Sequence, residues 1–325
     1  MPYFDNLVSE RLARFPSLIE ARTAHAQMVS DGTPSYASSW LYALRVCRNE
    51  LGLPGHSGQI GTTHIGIGIH HGTVSLLALA FSDPLEASQA CADIYDELSA
   101  DLPDVPILLK RLPPKIALPL LNTEHFVVAQ LSDWILEDDS FPELDVLPER
   151  LGNARDLARG ARRFANRGIR VAAHNEIVSA TKARSVLKTI CGSDHDKFCA
   201  YRAIVDEAFQ HSRPRNYMTW LFEDDRSPHK YRGLYVVDDL GAGTGGLYCA
   251  VSSRDVGGLT EWMDVNVFRE LGARGFDRVL LGGSETSGVF AYTKKLLPIP
   301  AASPGLTVVR RDIVERTRRL ARIDS

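Results

Sequence analysis

The chain has 325 residues, 44% of them hydrophobic and 24% charged, with a formal net charge of −3. That length exceeds what one core usually serves and predicts two domains of about 150 residues each, while the composition excludes a disordered or fibrous architecture. A near-neutral total neither requires nor excludes a polyanionic partner, because basic residues can gather on one face. Cys47, Cys91, Cys191, Cys199 and Cys249 are odd in number and scattered, without a C-x-x-C pair; this fits a reducing compartment and gives no zinc or redox signature. The first residues lack a basic segment followed by an apolar run, and no apolar stretch approaches the roughly 18 residues of a membrane span. A cytoplasmic protein, neither secreted nor membrane-spanning, is therefore expected.

Leu7, Leu12, Phe15 and Leu18 set a helical spacing over residues 6–30, closed by Asp31-Gly32-Thr33-Pro34. Trp40 to Val46 reads as a strand. His64 to His70 alternates with period two and Val74 to Phe81 is a continuous apolar run; His71-Gly72 between them predicts an antiparallel hairpin. Ser82-Asp83-Pro84 opens a helix of about 15 residues, since a short polar side chain caps the free amides and proline fits the first helical position. Val105 to Leu109 predicts a strand, Pro114 to Leu121 a short helix and Phe126 to Leu131 a further strand. The acidic, proline-containing segment 137–143 has the composition of a connection. The expected domains are thus 1–145 and 146–325.

Past that segment, the pattern predicts a helix over 148–167, a strand over 169–173 and a helix from Asp194 to Gln210. Then come a strand from Gly233 to Asp238, a turn at Gly241-Ala242-Gly243 and a strand from Gly246 to Ser252. A helix from Leu259 to Gly272, a strand from Arg278 to Leu281, a helix from Gly288 to Leu297 and a strand from Leu306 to Val309 complete the chain. Both halves share one order of hairpin, helix, strand, helix and strand. This predicts an α/β chain with mixed sheets in which one fold occurs twice.

The strongest chemical signal follows the strand at 278–281. Gly282 and Gly283 permit close approach of a backbone or ligand, and Ser284 or Thr286 is placed to cap the next helix. A helix start of this kind stabilises phosphate, carboxylate or a developing oxyanion; a Gly-Gly-Ser sequence also suits a plain strand-to-helix turn. The run Leu281-Gly282-Gly283-Ser284-Glu285, followed by Gly288, Phe290 and the Lys294-Lys295 helix that ends near Pro298, resembles the last block of two groups of GNAT-fold enzymes. These are the C-terminal domains of phosphatidylglycerol lysyltransferases and the Fem aminoacyltransferases. The resemblance spans residues 60–310 in element order. It implies tandem GNAT-like domains with the catalytic one C-terminal, aminoacyl-tRNA as co-substrate, and no bound cofactor.

A second signal lies on the helix predicted over 148–167. Arg155, Arg159, Arg163 and Arg167 recur every four residues, and only Glu149 and Asp156 offset seven arginines between positions 150 and 170. A solvated face normally mixes signs, so this stripe points to a phosphate-rich partner; pairing with the acidic segment 137–139 is the alternative. The resemblance implies contact with tRNA. It also directs attention to Arg254-Asp255-Val256-Gly257-Gly258-Leu259, where coenzyme A-using GNAT enzymes carry Arg/Gln-x-x-Gly-x-Gly/Ala. Arg254 and Gly257 fit and Leu259 departs, which argues against coenzyme A as donor.

Within this framework the expected amine base or orienter is Glu285, with Tyr248 and Asp264 as further catalytic candidates. Gly282, Gly283, Ser284, Thr286, Phe290 and Lys294 are expected to bind substrate, joined by Tyr217 and Trp220 from a stretch that interleaves cations with aromatics. Arg155, Arg159, Arg163, Arg167 and Arg254 are the expected tRNA or phosphate contacts. The strand carrying Tyr248 to Ser252 is expected to stabilise the oxyanion through amides freed by a bulge and a diverging neighbour. His64, His70 and His71 lack an accompanying carboxylate, so no metal site is expected, and no G-x-S-x-G elbow supports serine hydrolase chemistry. The expected reaction is transfer of an amino acid from aminoacyl-tRNA to a small-molecule or peptide amine, with amide formation, in natural-product or peptide assembly. An acyl-coenzyme A N-acyltransferase and a non-catalytic nucleic-acid-binding protein are the alternatives.

Overall fold

The computed structural model describes residues 10–29, 36–70, 72–137, 154–167, 171–174, 179–210, 217–225, 230–253, 255–282, 303–312 and 314. They form two compact units. The first comprises Met1–Thr33, Tyr42–Ser132 and Pro304–Ser325, the second Pro34–Leu41 and Asp133–Ser303. The units are therefore not consecutive halves of the sequence; the boundary expected at 145 itself lies outside the described residues.

The first unit opens with a 3-10 turn, Leu18–Ala21, whose start is fixed by a reciprocal Ser17/Glu20 capping box. Helices α1 (Arg22–Val29) and α2 (Trp40–Val46) follow. Strands β1 (His56–Ile60), β2 (Thr63–His70) and β3 (Thr73–Ala80) pair antiparallel. Helix α3 (Pro84–Asp101) returns the chain to β4 (Ile107–Leu112), parallel to β3, and α4 (Pro114–Asn122) leads to β5 (Phe126–Glu137). The last strand, β11 (Ser303–Arg310), pairs antiparallel with β4. Strand order is β1-β2-β3-β4-β11-β5, with β5 contributing its residues to Ser132. The core is aliphatic and includes Ile65, Ile67, Leu76, Leu98, Ile107, Leu109 and Val308.

Trp40–Val46 corrects an expectation, being a helix where the pattern predicts a strand. The Leu41 amide donates to Ser39 Oγ at 3.0 Å, which starts the helix. Trp40, Leu41, Tyr42, Ala43, Leu44 and Val46 are all buried. A short run that is apolar on every side has the same composition in a buried helix as in a buried strand.

The second unit contains α5 (Ala154–Ala165), β6 (Val171–His174), α6 (Ala180–Cys191), α7 (His195–Ala208), β7 (Tyr217–Asp224), β8 (Tyr231–Asp239), β9 (Thr244–Ser252), α8 (Leu259–Ala273) and β10 (Arg278–Gly282). Strand order is β5-β10-β9-β8-β7-β6; β9 and β10 are parallel and the other described pairs antiparallel. Its core joins Phe164 of α5 to Phe222, Tyr235, Met263, Val267, Phe268 and Leu271. Both units thus run three antiparallel strands, a helix and a parallel strand. The sequence pattern expects a two-stranded hairpin, a helix, a strand, a helix and a strand in each; the helix expected over 288–297 lies outside the described residues, and strand β1 is an addition to that order. Helix α6, started by Ser179 on the Lys182 amide, and strand β7 are additions to it.

Candidate functional site

In the second unit two neighbouring strands part company. The parallel ladder of β9 and β10 consists of Thr244–Arg278, Gly245–Val279 and Gly246–Leu280; β9 then continues to Ser252 while β10 ends at Gly282. Just past the divergence β9 bulges. Leu247 opposes Val237 and Cys249 opposes Val236, which leaves Tyr248 as the extra residue. A bulge interrupts the ladder and re-aims the peptides beside it, and this one lies two residues past the last pair of β9 with β10.

A short piece of chain from far upstream lies on this point. The Tyr36 hydroxyl donates to the Leu247 carbonyl at 2.9 Å, and the Tyr248 hydroxyl donates to the Tyr36 carbonyl at 2.8 Å. The two rings stack with centroids 4.5 Å apart. Gly246 makes room for this, because a β-carbon there would stand 2.5 Å from the Tyr248 ring. Three residues on, Ser39 Oγ donates to Asp238 Oδ2 at 2.5 Å. Asp238 is opposite Gly246 on β8 and buried. Burial pushes its carboxyl up to about 7, reinforced by the charges of Asp239 and Glu207 and opposed by the Ser39 hydrogen bond.

At the far end of β9 the chain enters α8 through Asp255-Val256-Gly257-Gly258. Gly258 is the N-cap residue, at φ 86°, and no side chain caps the helix. Arg232, buried on β8, pairs with Asp224 at 3.0 Å and Asp255 at 2.5 Å, and its carbonyl accepts from the Ser253 amide. The loop is thereby held and the Asp255 charge neutralised. Helix α5 crosses here: a β-carbon on Gly258 would lie 2.4 Å from the Gly160 carbonyl, so the two glycines set the approach. An Arg167 guanidinium nitrogen lies 3.5 Å from where a β-carbon of Gly257 would stand. Arg159, Arg163 and Arg167 are exposed. Glu261 is the acid of the first turn and packs its stem on Gly160. The positive end of a 15-residue helix whose N-cap glycine provides no capping side chain, with the Arg167 guanidinium adjacent, suits an anion.

The sequence-predicted residues distribute unevenly over this arrangement. Arg159, Arg163 and Arg167 are exposed on α5 at four-residue intervals, and of these the Arg167 guanidinium reaches Gly257 at the start of α8. The Arg155 side chain lies outside the described residues, as do Arg254 and the whole of Gly283, Ser284, Glu285, Thr286, Phe290 and Lys294; of Gly282 the backbone ends β10. Tyr248 sits at the bulge, buried, with its hydroxyl on Tyr36. Asp264 is buried in α8 and accepts from the Tyr235 hydroxyl at 2.6 Å, on the side of the core rather than at the bulge. Trp220 is buried on β7 with Nε1 donating to Glu270 at 2.7 Å, and Tyr217 begins that strand half-buried.

Tyr36, Ser39 and Asp238 are additions from the structure. Asp238 had a signal, a carboxylate closing the apolar run Leu234 to Val237. Tyr36 and Ser39 had none, because their partners are 211 and 199 positions away.

No protein-family model matches the chain, and no curated protein matches it significantly in sequence. Solved structures do match in fold. L-PGS from Bacillus licheniformis aligns at TM-score 0.55 with 10% identity, over 91% of this chain and 92% of that one. The C-terminal domain of a putative lysylphosphatidylglycerol synthetase from Agrobacterium fabrum aligns at 0.54 and 10% identity, over 91% and 93%. A tandem GNAT protein from the clavulanic acid biosynthesis pathway aligns at 0.50 and 11% identity, over 91% and 98%. The chain therefore has the tandem GNAT fold, shared over nearly its whole length with these proteins.

Proposed function

We propose that the chain transfers an aminoacyl group from aminoacyl-tRNA to an amine and forms an amide. The observation that carries this reading is the start of α8, without a side-chain cap and beside the Arg167 side chain, at the end of the same strand that bulges two residues past its last pair with β10. Phosphates bound at the helix start and along α5 would orient an ester whose carbonyl reaches the bulge. That carbonyl is already activated, so alignment and oxyanion stabilisation by main-chain amides are the main requirements. The acceptor nitrogen attacks the ester carbon, the C–N bond forms, the C–O bond to the ribose breaks, and the carboxylate that takes the amine proton passes it to the departing ribose oxygen. Glu285 is assigned that proton by the family resemblance. One fold neighbour is named for lysylphosphatidylglycerol, a product that by its name bears an aminoacyl group, which agrees with this donor chemistry.

The test is a transfer assay in which the purified protein meets tRNA charged with radiolabelled amino acids and a lysate extract that supplies acceptors. Protein-dependent label in a small or peptide product, abolished by ribonuclease, is the expected result. Absence of transfer together with saturable acetyl-coenzyme A binding would establish the acyl-coenzyme A alternative; RNA binding with no transfer from either donor would establish the non-catalytic one.

A further inference from the structure

We propose that Tyr36 is a donor-specificity residue: its hydroxyl, held in place by the stack of its ring on Tyr248, occupies the Leu247 carbonyl and closes the part of β9 past its pairing with β10 to an extended, amide-bearing donor arm such as the pantetheine of coenzyme A. The inference deepens the reading above and rests on it for the donor that is admitted instead, an ester whose reactive carbonyl is not carried on a peptide-like arm.

A strand whose neighbour has diverged is a template, since its unpaired carbonyls and amides accept any extended chain with amides in register. Pantetheine is such a chain, with two amides along a flexible stem. On β9 the carbonyl at the mouth of the divergence belongs to Leu247, one residue past the last parallel pair, Gly246–Leu280. The Tyr36 hydroxyl takes it at 2.9 Å. The ring stack fixes that hydroxyl: Tyr36 and Tyr248 are both buried and stacked, with the Tyr248 ring lying over Gly246. The strap cannot swing aside cheaply, because Tyr248 holds the Tyr36 carbonyl and Asp238 holds Ser39. Anion binding at the start of α8 is untouched by the plug. A phosphate-bearing donor therefore still has its handle, and only the arm that would run along β9 is refused.

Isothermal titration of coenzyme A into the full-length protein, Tyr36→Phe and Tyr36→Ala tests this. The unaltered protein is expected to hold coenzyme A only weakly, through its phosphates, and Tyr36→Ala to bind it at least about tenfold more tightly. Equal affinity of the two overturns the proposal. Should Tyr36→Ala lose its fold by circular dichroism, Tyr36→Phe decides, because it frees the Leu247 carbonyl and keeps the ring stack. Coenzyme A must then slow hydrogen exchange of amides between Leu247 and Ser252 in Tyr36→Phe and not in the unaltered protein; no such slowing overturns the proposal. The two readings fail separately. Transfer from charged tRNA without any gain in the variants removes the role of Tyr36 alone, whereas a gain in Tyr36→Ala without such transfer removes the aminoacyl-tRNA reading alone.

Discussion

In the first unit, the helix after the third antiparallel strand begins at Pro84, with the Asp83 carboxylate accepting from the Leu85 and Glu86 amides at 2.8 and 2.9 Å. In the second, the helix in the same place begins at Leu259 behind Gly257-Gly258, with no side-chain cap and with Arg167 alongside. One start supplies its own anion and is closed to any other; the other has no side-chain cap and lies next to positive charge. The two units thus place a helix start at the same point of the fold, and local residues, the Asp83 cap and the amide-free Pro84 in one and Gly257-Gly258 in the other, decide which one stays available. The strands differ in the same sense. The middle strand of the first unit, β2, has no carboxylate, whereas β8 ends in Asp238-Asp239 and its buried acid receives Ser39.

The largest effect is expected where the open start is built. Gly258 combines φ 86° with a β-carbon position 2.4 Å from a main-chain carbonyl, so Gly258→Ala adds left-handed strain to a clash that only backbone movement relieves. Strain and overpacking each cost about 1–3 kcal/mol, together about 4. Gly275 provides the control: it has the same φ and nothing within 4 Å of a β-carbon, so Gly275→Ala should cost only about 1 kcal/mol. Urea unfolding of both variants measures the difference. Equal losses would mean that the α5/α8 crossing does not depend on Gly258.

An effect of intermediate size is expected at Asp238. Its carboxyl is raised from 3.8 to about 7, so the folded state binds the proton more tightly than the unfolded state does. The associated stability is complete below about pH 4 and is lost as pH rises to about 7. Asp238→Asn mimics the protonated form. It should match the unaltered protein near pH 4 and exceed it at pH 8, by up to roughly 4 kcal/mol. Urea midpoints at the two pH values check this, and a difference that does not change with pH would show that Asp238 does not titrate in that window.

The sequence displays these contrasts only in part. Asp83-Pro84 is a local signal read directly from adjacent residues, and the helix it starts is where it was expected. The arginine stripe is equally local, because a helical repeat shows which residues share a face. The plug of Tyr36 on Leu247 and the bond from Ser39 to Asp238 leave no trace of that kind, as they join residues about two hundred positions apart and depend on a strand divergence that no periodicity encodes. The same limit explains β11, whose residues lie next to the second half in sequence and complete the sheet of the first unit. Helix α2 was misread for a different reason: burial on all sides erases the pattern that separates helix from strand.

The smallest effects come from exchanging the two helix starts, and they test the comparison most directly. Gly257→Asp gives the second unit what the first already has, a carboxylate at the head of the helix. A β-carbon fits there, its nearest neighbour being Arg167 at 3.5 Å, so the new acid would engage that guanidinium at the positive end of the helix. Affinity for charged tRNA is expected to fall about tenfold, or about 1.4 kcal/mol, with little change in unfolding midpoint. Asp83→Ala is the reciprocal change. It removes the cap of α3 and should lower stability by about 1 kcal/mol while leaving transfer unaltered. Filter binding at fixed ionic strength and urea unfolding measure the pair. If Asp83→Ala weakens tRNA binding as much as Gly257→Asp does, the anion site is not confined to the second unit, and the side chains at the two helix starts are not what distinguishes them.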